Sequence, residues 1–403
     1  MNYSAQEVLQ YIEEEDVKFI RLAFCDVFGK QKNISIIANE LPRAFKYGVA
    51  IDASAIDGFW DEVHSDLFLH PDPSTITILP WRPEHGRVVR MFCEITYPDG
   101  TPFERDTRTM LKQAVEKATK AGYRFEFGSE IEFYLFKLDE DGNPTLEPHD
   151  HAGYMDIAPD DKGENVRREI CLTLEQMGIY PECSHHEEGP GQNEIVFKYS
   201  DPLTAADDAI TFCSVVKTIA ARNGLHADFS PKPLSNGPGN GFHINMSEKS
   251  DKADELLPYM VAGLLEKIPE MTLFLNPSGQ SYERFGTNKA PKYITWSHEN
   301  RSQLIRIPAV VNNDKRLELR SADPLANPYI AFTLMIYAGL YGIENKLPLP
   351  DSTDLNLLTA SEDALANIKM LPASICEAES IARNSSFIAN YLPASLIDVY
   401  CED

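Results

Sequence analysis

The chain has 403 residues, 43% hydrophobic and 25% charged, an ordinary balance for a soluble globular protein with one large domain and a smaller one, or two to three domains. Lys plus Arg number 37 against 62 Asp plus Glu, a formal charge of −25. That excess of acid argues against nucleic acid and anionic membrane as partners. Seven scattered cysteines without a C-x-x-C pair argue against a zinc site or a disulfide framework and for a reducing compartment. The first residues carry no basic-then-apolar leader, so the expected location is the cytoplasm.

Ser4-Ala5-Gln6-Glu7 is a capping-box pattern, and Val8, Leu9 and Ile12 follow at helical spacing. Lys18 to Phe28 and Lys32 to Ile37 read as strands about the turn Phe28-Gly29-Lys30, with further strands at Thr75 to Leu79 and Arg87 to Ile95. The first hundred residues therefore read as a small mixed domain. Asp106 caps a predicted helix over Thr107 to Lys120 that stops at Gly122. Strands are expected over Arg124 to Lys137, Glu194 to Tyr199, Arg301 to Val311 and Lys315 to Arg320. Helices are expected over Asn165 to Met177, Leu203 to Arg222, Asp254 to Glu266 and Ala326 to Glu344. The apolar run from Tyr329 to Ile343 is too short to span a bilayer and reads as a buried helix. After Pro350 the composition is helical and carries no motif.

Four clusters carry chemistry. Glu130 and Glu132 stand two apart in an apolar strand, hence on one face. Such a pair either shares a cation or lines the solvent side of an edge strand. In His185-His186-Glu187-Glu188-Gly189-Pro190-Gly191-Gln192-Asn193-Glu194, a Gly-Pro-Gly turn can bring Glu187 and Glu194 to one place, as hard oxygen ligands for magnesium or manganese. The glycine-rich run Gly237-Pro238-Gly239-Asn240-Gly241 lets a ligand approach the backbone and leads into His243 and Asn245, which share a strand face. Arg284, Arg301 and Arg306 precede Arg316, Glu318 and Arg320, which alternate onto one face and suit carboxylate or phosphate recognition. Carboxylates for two cations beside several arginines fit phosphoryl transfer.

With these residues the chain resembles glutamine synthetase, of the bacterial type I kind, as a shortened and divergent member. The resemblance runs through Ser65-Asp66, Pro71 to Thr75, Glu130 to Phe133, Gly153-Tyr154, Gly163 to Asn165, His185 to Glu194, Pro231 to Leu234, Asn300 to Ser302, Ile305 to Pro308, Asp323-Pro324 and Asn327 to Tyr329. It implies an α+β protein: an N-terminal β-grasp domain over 1–104, then a catalytic domain over 105–403 with a curved antiparallel sheet and flanking helices. It implies ATP and Mg2+ or Mn2+ as cofactors, glutamate with ammonia or a primary amine as substrates, and a homo-oligomeric ring, hexamer or dodecamer, with active sites between subunits. By matching positions, Glu132, Glu187 and Glu194 would hold one metal, and Glu130, His243 and Glu318 the other. Arg284, Arg306, Arg320 and Gly239 would contact glutamate or the transferred phosphate. Glu182, Ser247, Arg301 and Arg316 would lie on the nucleotide side.

Three departures bear on the nitrogen donor and the assembly. The family's Asp-Gly-Ser-Ser reads Asp52-Ala53-Ser54-Ala55, which keeps Asp52 as an anionic contact for ammonium. The loop from Arg284 to Pro291 is one residue short and carries Lys289 where the family has a glutamate that helps deprotonate ammonium; a cation there would repel ammonium. Pro238 replaces an asparagine that helps bind glutamate, and the chain is shorter after the glycine loop and at its end. Three readings follow: an ATP-dependent glutamate–ammonia ligase acting through γ-glutamyl phosphate, a γ-glutamylamide synthetase using a primary amine, or a non-catalytic glutamate- or nucleotide-binding regulator.

Overall fold

The computed structural model describes residues 3–59, 63–83, 85–309 and 315–401. The chain divides into two compact units, Met1–Met110 with Cys171–Tyr180, and Leu111–Ile170 with Pro181–Asp403.

In the first unit the capping box forms as its spacing predicts, and it opens α1 (Ala5–Glu14), which buries Val8 and Ile12. Then come β1 (Val17–Cys25), β2 (Gln31–Ile37), α2 (Leu41–Tyr47), β3 (Val49–Asp52), β4 (Asp66–Pro71), β5 (Thr77–Ile78) and β6 (Arg87–Thr96). They form one sheet in the order β2-β1-β6-β4-β3, with β5 also on β6. The pair β1–β6 is parallel, and every other pairing is antiparallel. β6 is central and almost continuously buried, whereas β4 alternates, burying Leu67, Leu69 and Pro71. The unit is thus a single mixed sheet accompanied by α1 and α2.

The second unit opens within α3 (Thr107–Lys120), whose first turn is held by Asp106 accepting from the Arg108 N–H at 3.2 Å. Further along the chain come β7 (Phe125–Leu138), β8 (Pro144–Pro148), α4 (Glu164–Gln176), which divides between the units at Cys171, β9 (Pro181–His186), β10 (Gln192–Phe197), α5 (Pro202–Arg222), β11 (Leu225–Asp228), β12 (Phe242–Glu248) and α6 (Ala253–Leu275). α7 (Gly279–Arg284), β13 (Trp296–His298), β14 (Ile305–Ile307), β15 (Leu317–Leu319) and α8 (Pro328–Glu344) follow, and short helices at Glu362–Leu365, Ile375–Arg383, Ser386–Tyr391 and Ala394–Tyr400 close the chain. The sheet order is β13-β14-β15-β12-β7-β10-β9, with β8 and β11 also on β7. All these pairings are antiparallel except β13–β14, so the sheet is mixed at one edge rather than wholly antiparallel as expected.

The two-residue period of β7 sorts its side chains. Phe125, Phe127, Ile131, Phe133 and Leu135 are buried, and Phe127 stacks on Phe332 of α8 with ring centroids 4.3 Å apart while Phe133 meets Phe212 of α5 at 6.1 Å. Glu130 and Glu132 consequently point from the opposite face. The strand expected over Arg301 to Val311 contracts to Ile305–Ile307, and positions 310 and 311 lie outside the described residues. Helix α6 runs past Glu266 to Leu275 and contains Pro258 and Pro269. Proline predicts a break there, yet Ile268, Met271, Leu273, Phe274 and Leu275 are buried, and packing overrides the local preference. Among the described residues, no helix is long and apolar enough to cross a membrane.

Helices α6 and α8 touch backbone to backbone at two glycines. A Cβ on Gly342 would lie 1.9 Å from the Tyr259 carbonyl oxygen, and one on Gly263 would lie 2.1 Å from that of Ala338. Gly342→Ala should therefore force the helices apart and cost about 1–3 kcal/mol or more. Denaturant unfolding checks this, and a midpoint equal to wild type would contradict the close approach.

Candidate active site

Strand register gathers the site. Glu132 of β7 pairs with Glu194 of β10, which pairs with His185 of β9. On the other side of β7, Glu130 pairs with His243 of β12. Asn245 pairs with Glu318 of β15, and Glu318 with Arg306 of β14. Paired residues share a face and so do residues two apart, so one sheet face carries all of these. They line a cleft of about 940 Å³ together with Glu182, Glu187, Glu188, Gly239, Arg284, Lys289, Arg301, Arg316 and Arg320, except that Asn245 and Glu318 lie beneath its surface.

The acids strain against one another. Burial, then the charges of Glu194 and Glu187, push the Glu132 carboxyl well above the usual range. Burial and Glu194 push Glu187 up to about 7. Burial also opposes the charge on Glu130, but the hydrogen bond and charge of His243 hold it at about 2. His185 lies between Glu187 and Glu194, at 3.5 and 3.4 Å, and its Nδ1 is buried without a hydrogen-bond partner. Two donor sets are compact: Glu130, Glu194 and His243, and His185, Glu187 and Glu194, with ligand atoms of each set within 4.8 Å of one another. Carboxylates that cannot all ionise, an orphaned imidazole nitrogen and an oxygen-rich donor set fit a divalent cation.

The glycine run closes one wall. The Gly241 N–H donates to Glu132 Oε2 at 2.7 Å, and Tyr134 OH donates to the Pro238 carbonyl at 2.8 Å. A Cβ on Gly239 would meet the Pro231 carbonyl oxygen at 2.5 Å and Arg284 Cγ at 2.7 Å, so only glycine lets this wall lie against Arg284. Arg284 is buried, donates to the carbonyls of Ser321 and Ala322 at 3.2 and 3.3 Å, and lies 3.8 Å from Asp323. Glu318, fully buried, is paired through one oxygen with Arg306 and through the other with Arg320. Arg316 donates to Asn245 Oδ1 at 3.2 Å, and Asn245 donates to Glu130 Oε1 at 2.9 Å. Arg316, Asn245 and Glu130 thus form one chain of contacts, and Arg306, Glu318 and Arg320 another.

Of the sequence-derived candidates, Glu130, Glu132, Glu182, Glu187, Glu194, Gly239, His243, Arg284, Arg301, Arg306, Arg316 and Arg320 line this cleft. Glu318 lies under it, engaged by two arginines rather than by His243, which is 3.9 Å away. Ser247 stands on the same β12 face beyond Asn245 but is not part of the lining. Asp52 belongs to the first unit, where it ends β3 and accepts from the Ser54 N–H at 3.0 Å. Lys289 lines the cleft as an ion-pair partner of Glu188. Sequence reasoning missed Gln192, whose Nε2 reaches Glu132, Gly239 and Asn240 at 3.1 to 3.3 Å. Its place after Gly-Pro-Gly, between Glu187 and Glu194, was the available signal.

A sheet face that sets repelling carboxylates against arginines is built to handle anions together with divalent cations. Comparison sharpens that class. Residues 104–403 match the glutamine synthetase catalytic domain, and residues 16–98 match the glutamine synthetase β-grasp domain. A glutamine synthetase of Methanosarcina mazei is 44% identical over 410 residues, covering 98% of this chain and 92% of that protein. One from Clostridium saccharobutylicum is 43% identical, covering 93% and 88%. A solved structure described as a GmaS/ADP complex is 26% identical, with a TM-score of 0.88, covering 100% of this chain and 94% of that one. The chain belongs to the glutamine synthetase family, whose chemistry is C–N ligation.

A divalent cation held by Glu187 would bind in a pH-dependent way, because the carboxyl is raised. A metal must displace the protons that burial and mutual repulsion favour on Glu187, pushed up to about 7, and on Glu132, also raised, so affinity should climb by up to about tenfold per pH unit through neutrality. Mn2+ titrations between pH 5.5 and 8.5 read this directly, and a flat profile would remove Glu187 from the ligand set.

Proposed function

We propose that the cleft joins the side-chain carboxylate of glutamate to ammonia at the expense of ATP, through γ-glutamyl phosphate. The observation that carries this is the convergence of Glu132, Glu187 and Glu194 opposite Arg284, Arg306 and Arg320 in one cleft. Glu132, Glu187 and Glu194 would hold one Mg2+ or Mn2+, and Glu130 and His243 the other, joined by Glu318 once a cation displaces one of its arginines. Bound there, the cations would neutralise phosphate charge and polarise the transferring group. Arg284, Arg306 and Arg320, with the close backbone at Gly239, are placed for carboxylate and phosphate oxygens. Glu182, Arg301, Arg316 and Ser247 are read as the nucleotide side, and Asp52 as a contact for the nitrogen donor in a neighbouring subunit's site.

In the first step a γ-carboxylate oxygen of glutamate bonds to the γ-phosphorus of ATP as the bond to ADP breaks. In the second the nitrogen attacks the acyl carbon, phosphate leaves, and a proton passes from nitrogen to solvent or a carboxylate. We read the working form as a homo-oligomeric ring in the cytoplasm.

One observation favours a second reading, a primary amine as donor. The loop carries Lys289, paired with Glu188, where a carboxylate would help take the proton from ammonium. Phosphate release from ATP with Mg2+ and glutamate, compared between ammonium and a panel of primary amines, separates the two. Stimulation by ammonium supports the first, stimulation only by a larger amine the second, and silence with every donor leaves a binding protein. Glu132→Ala should abolish turnover while the assembly, checked by size-exclusion chromatography with light scattering, stays as in wild type. Near-wild-type turnover in that variant would refute its place in the metal set.

A further inference from the structure

Glu187 and Glu194 flank a short hairpin whose turn is closed by two backbone hydrogen bonds, from the Glu187 N–H to the Gln192 carbonyl at 2.8 Å and from the Gln192 N–H to the Gly189 carbonyl at 2.9 Å. What anchors that turn to the rest of the protein, besides Gln192, lies on the other side of the sheet. Strand alternation turns His185 and Glu194 toward the cleft, and the neighbouring register pair, His186 and Asn193, turns away from it. His186 is fully buried, with Nε2 2.8 Å from Asp150 Oδ1 and Nδ1 2.7 Å from the Glu187 carbonyl oxygen. Asp150 Oδ1 also accepts the Gly191 N–H at 3.0 Å, and Oδ2 accepts the Lys162 N–H at 3.0 Å. A carboxylate that accepts from several backbone donors is ionised, and a ring with an acceptor at each nitrogen donates from both. One buried ion pair therefore grips the hairpin backbone at Glu187 and at Gly191.

A second grip lies beside it. Asn193 Nδ2 donates to the Gly191 carbonyl at 2.9 Å, and Asn193 Oδ1 accepts from Arg167 at 2.6 Å. Arg167 is itself held by both oxygens of Asp161, at 3.1 and 2.5 Å. Asp150, Asp161 and His186 are close enough to pass for a third metal site, but each donor atom already has a partner within the protein. Two buried ion pairs are costly to desolvate and are poor devices for stability alone.

We infer that Asp150 with His186, and Asp161 with Arg167 and Asn193, are positioning residues that set the separation of Glu187 and Glu194 and thereby the affinity of the cleft for a divalent cation. This rests on the metal-binding reading above, and touches none of the reacting atoms. The test is Mn2+ binding to the full-length protein, followed by electron paramagnetic resonance, in wild type, Asp150→Asn and Asn193→Ala. The Mn2+ dissociation constant should rise about 10- to 100-fold in the variants. Their kcat should return toward wild type at saturating Mn2+, with the glutamate KM little changed. Wild-type Mn2+ affinity in a folded variant, or a fall in kcat that excess Mn2+ does not restore, would overturn the inference. Should Asp150→Asn fail to fold, Asn193→Ala carries the test, because it removes one amide and leaves both ion pairs. If wild type itself binds no Mn2+, the metal reading fails first, and the inference with it.

Discussion

The second unit is organised around a repulsion. Glu132, Glu187 and Glu194 come together where burial already disfavours charge, and two of them are pushed to hold protons. Isolated, that arrangement costs stability. It becomes favourable only when positive charge enters, and the rest of the unit either supplies that charge or holds the acids in place until it arrives. Arg306 and Arg320, in the cleft lining, neutralise Glu318 beneath it, and His243 holds Glu130 ionised. The backbone of Gly241 and the amide of Gln192 tie Glu132 to the glycine wall.

The sheet makes this arrangement possible. Seven strands contribute to one path, and their registers bring residues from distant parts of the chain onto a single face. The opposite face of β7 is packed by aromatic rings on α5 and α8, which fixes the strand that carries Glu130 and Glu132. Division of labour is strict: apolar packing on one side supplies rigidity, and charge on the other supplies chemistry.

Much of this was legible in the chain. The two-residue spacing of Glu130 and Glu132, the Gly-Pro-Gly turn between Glu187 and Glu194 and the alternation of Arg316, Glu318 and Arg320 are local patterns, and a strand or hairpin converts them directly into geometry. Long helices with clear apolar faces or caps were equally readable. What escaped was set by distance or by brevity. Asp150 meets His186 across 36 positions, and nothing near either residue announces the pairing. The strands Val49–Asp52, Pro181–His186 and Trp296–His298 are short, and the second is largely polar, so their apolar periodicity is weak. The length of α6 depends on burial that overrides its prolines, and the partner of Lys289 lies 101 positions away.

The contact between Gly263 and Gly342 limits how this family member can diversify. Because Tyr259 and Ala338 carbonyls occupy the space where side chains would begin, neither position has a neighbouring amino acid available to it by gradual drift. Any enlargement displaces a whole helix, and α8 carries the ring that stacks on Phe127 of the acid-bearing strand. Directed evolution of donor preference would therefore find its freedom in the exposed loop around Lys289, and little in the helices behind the sheet.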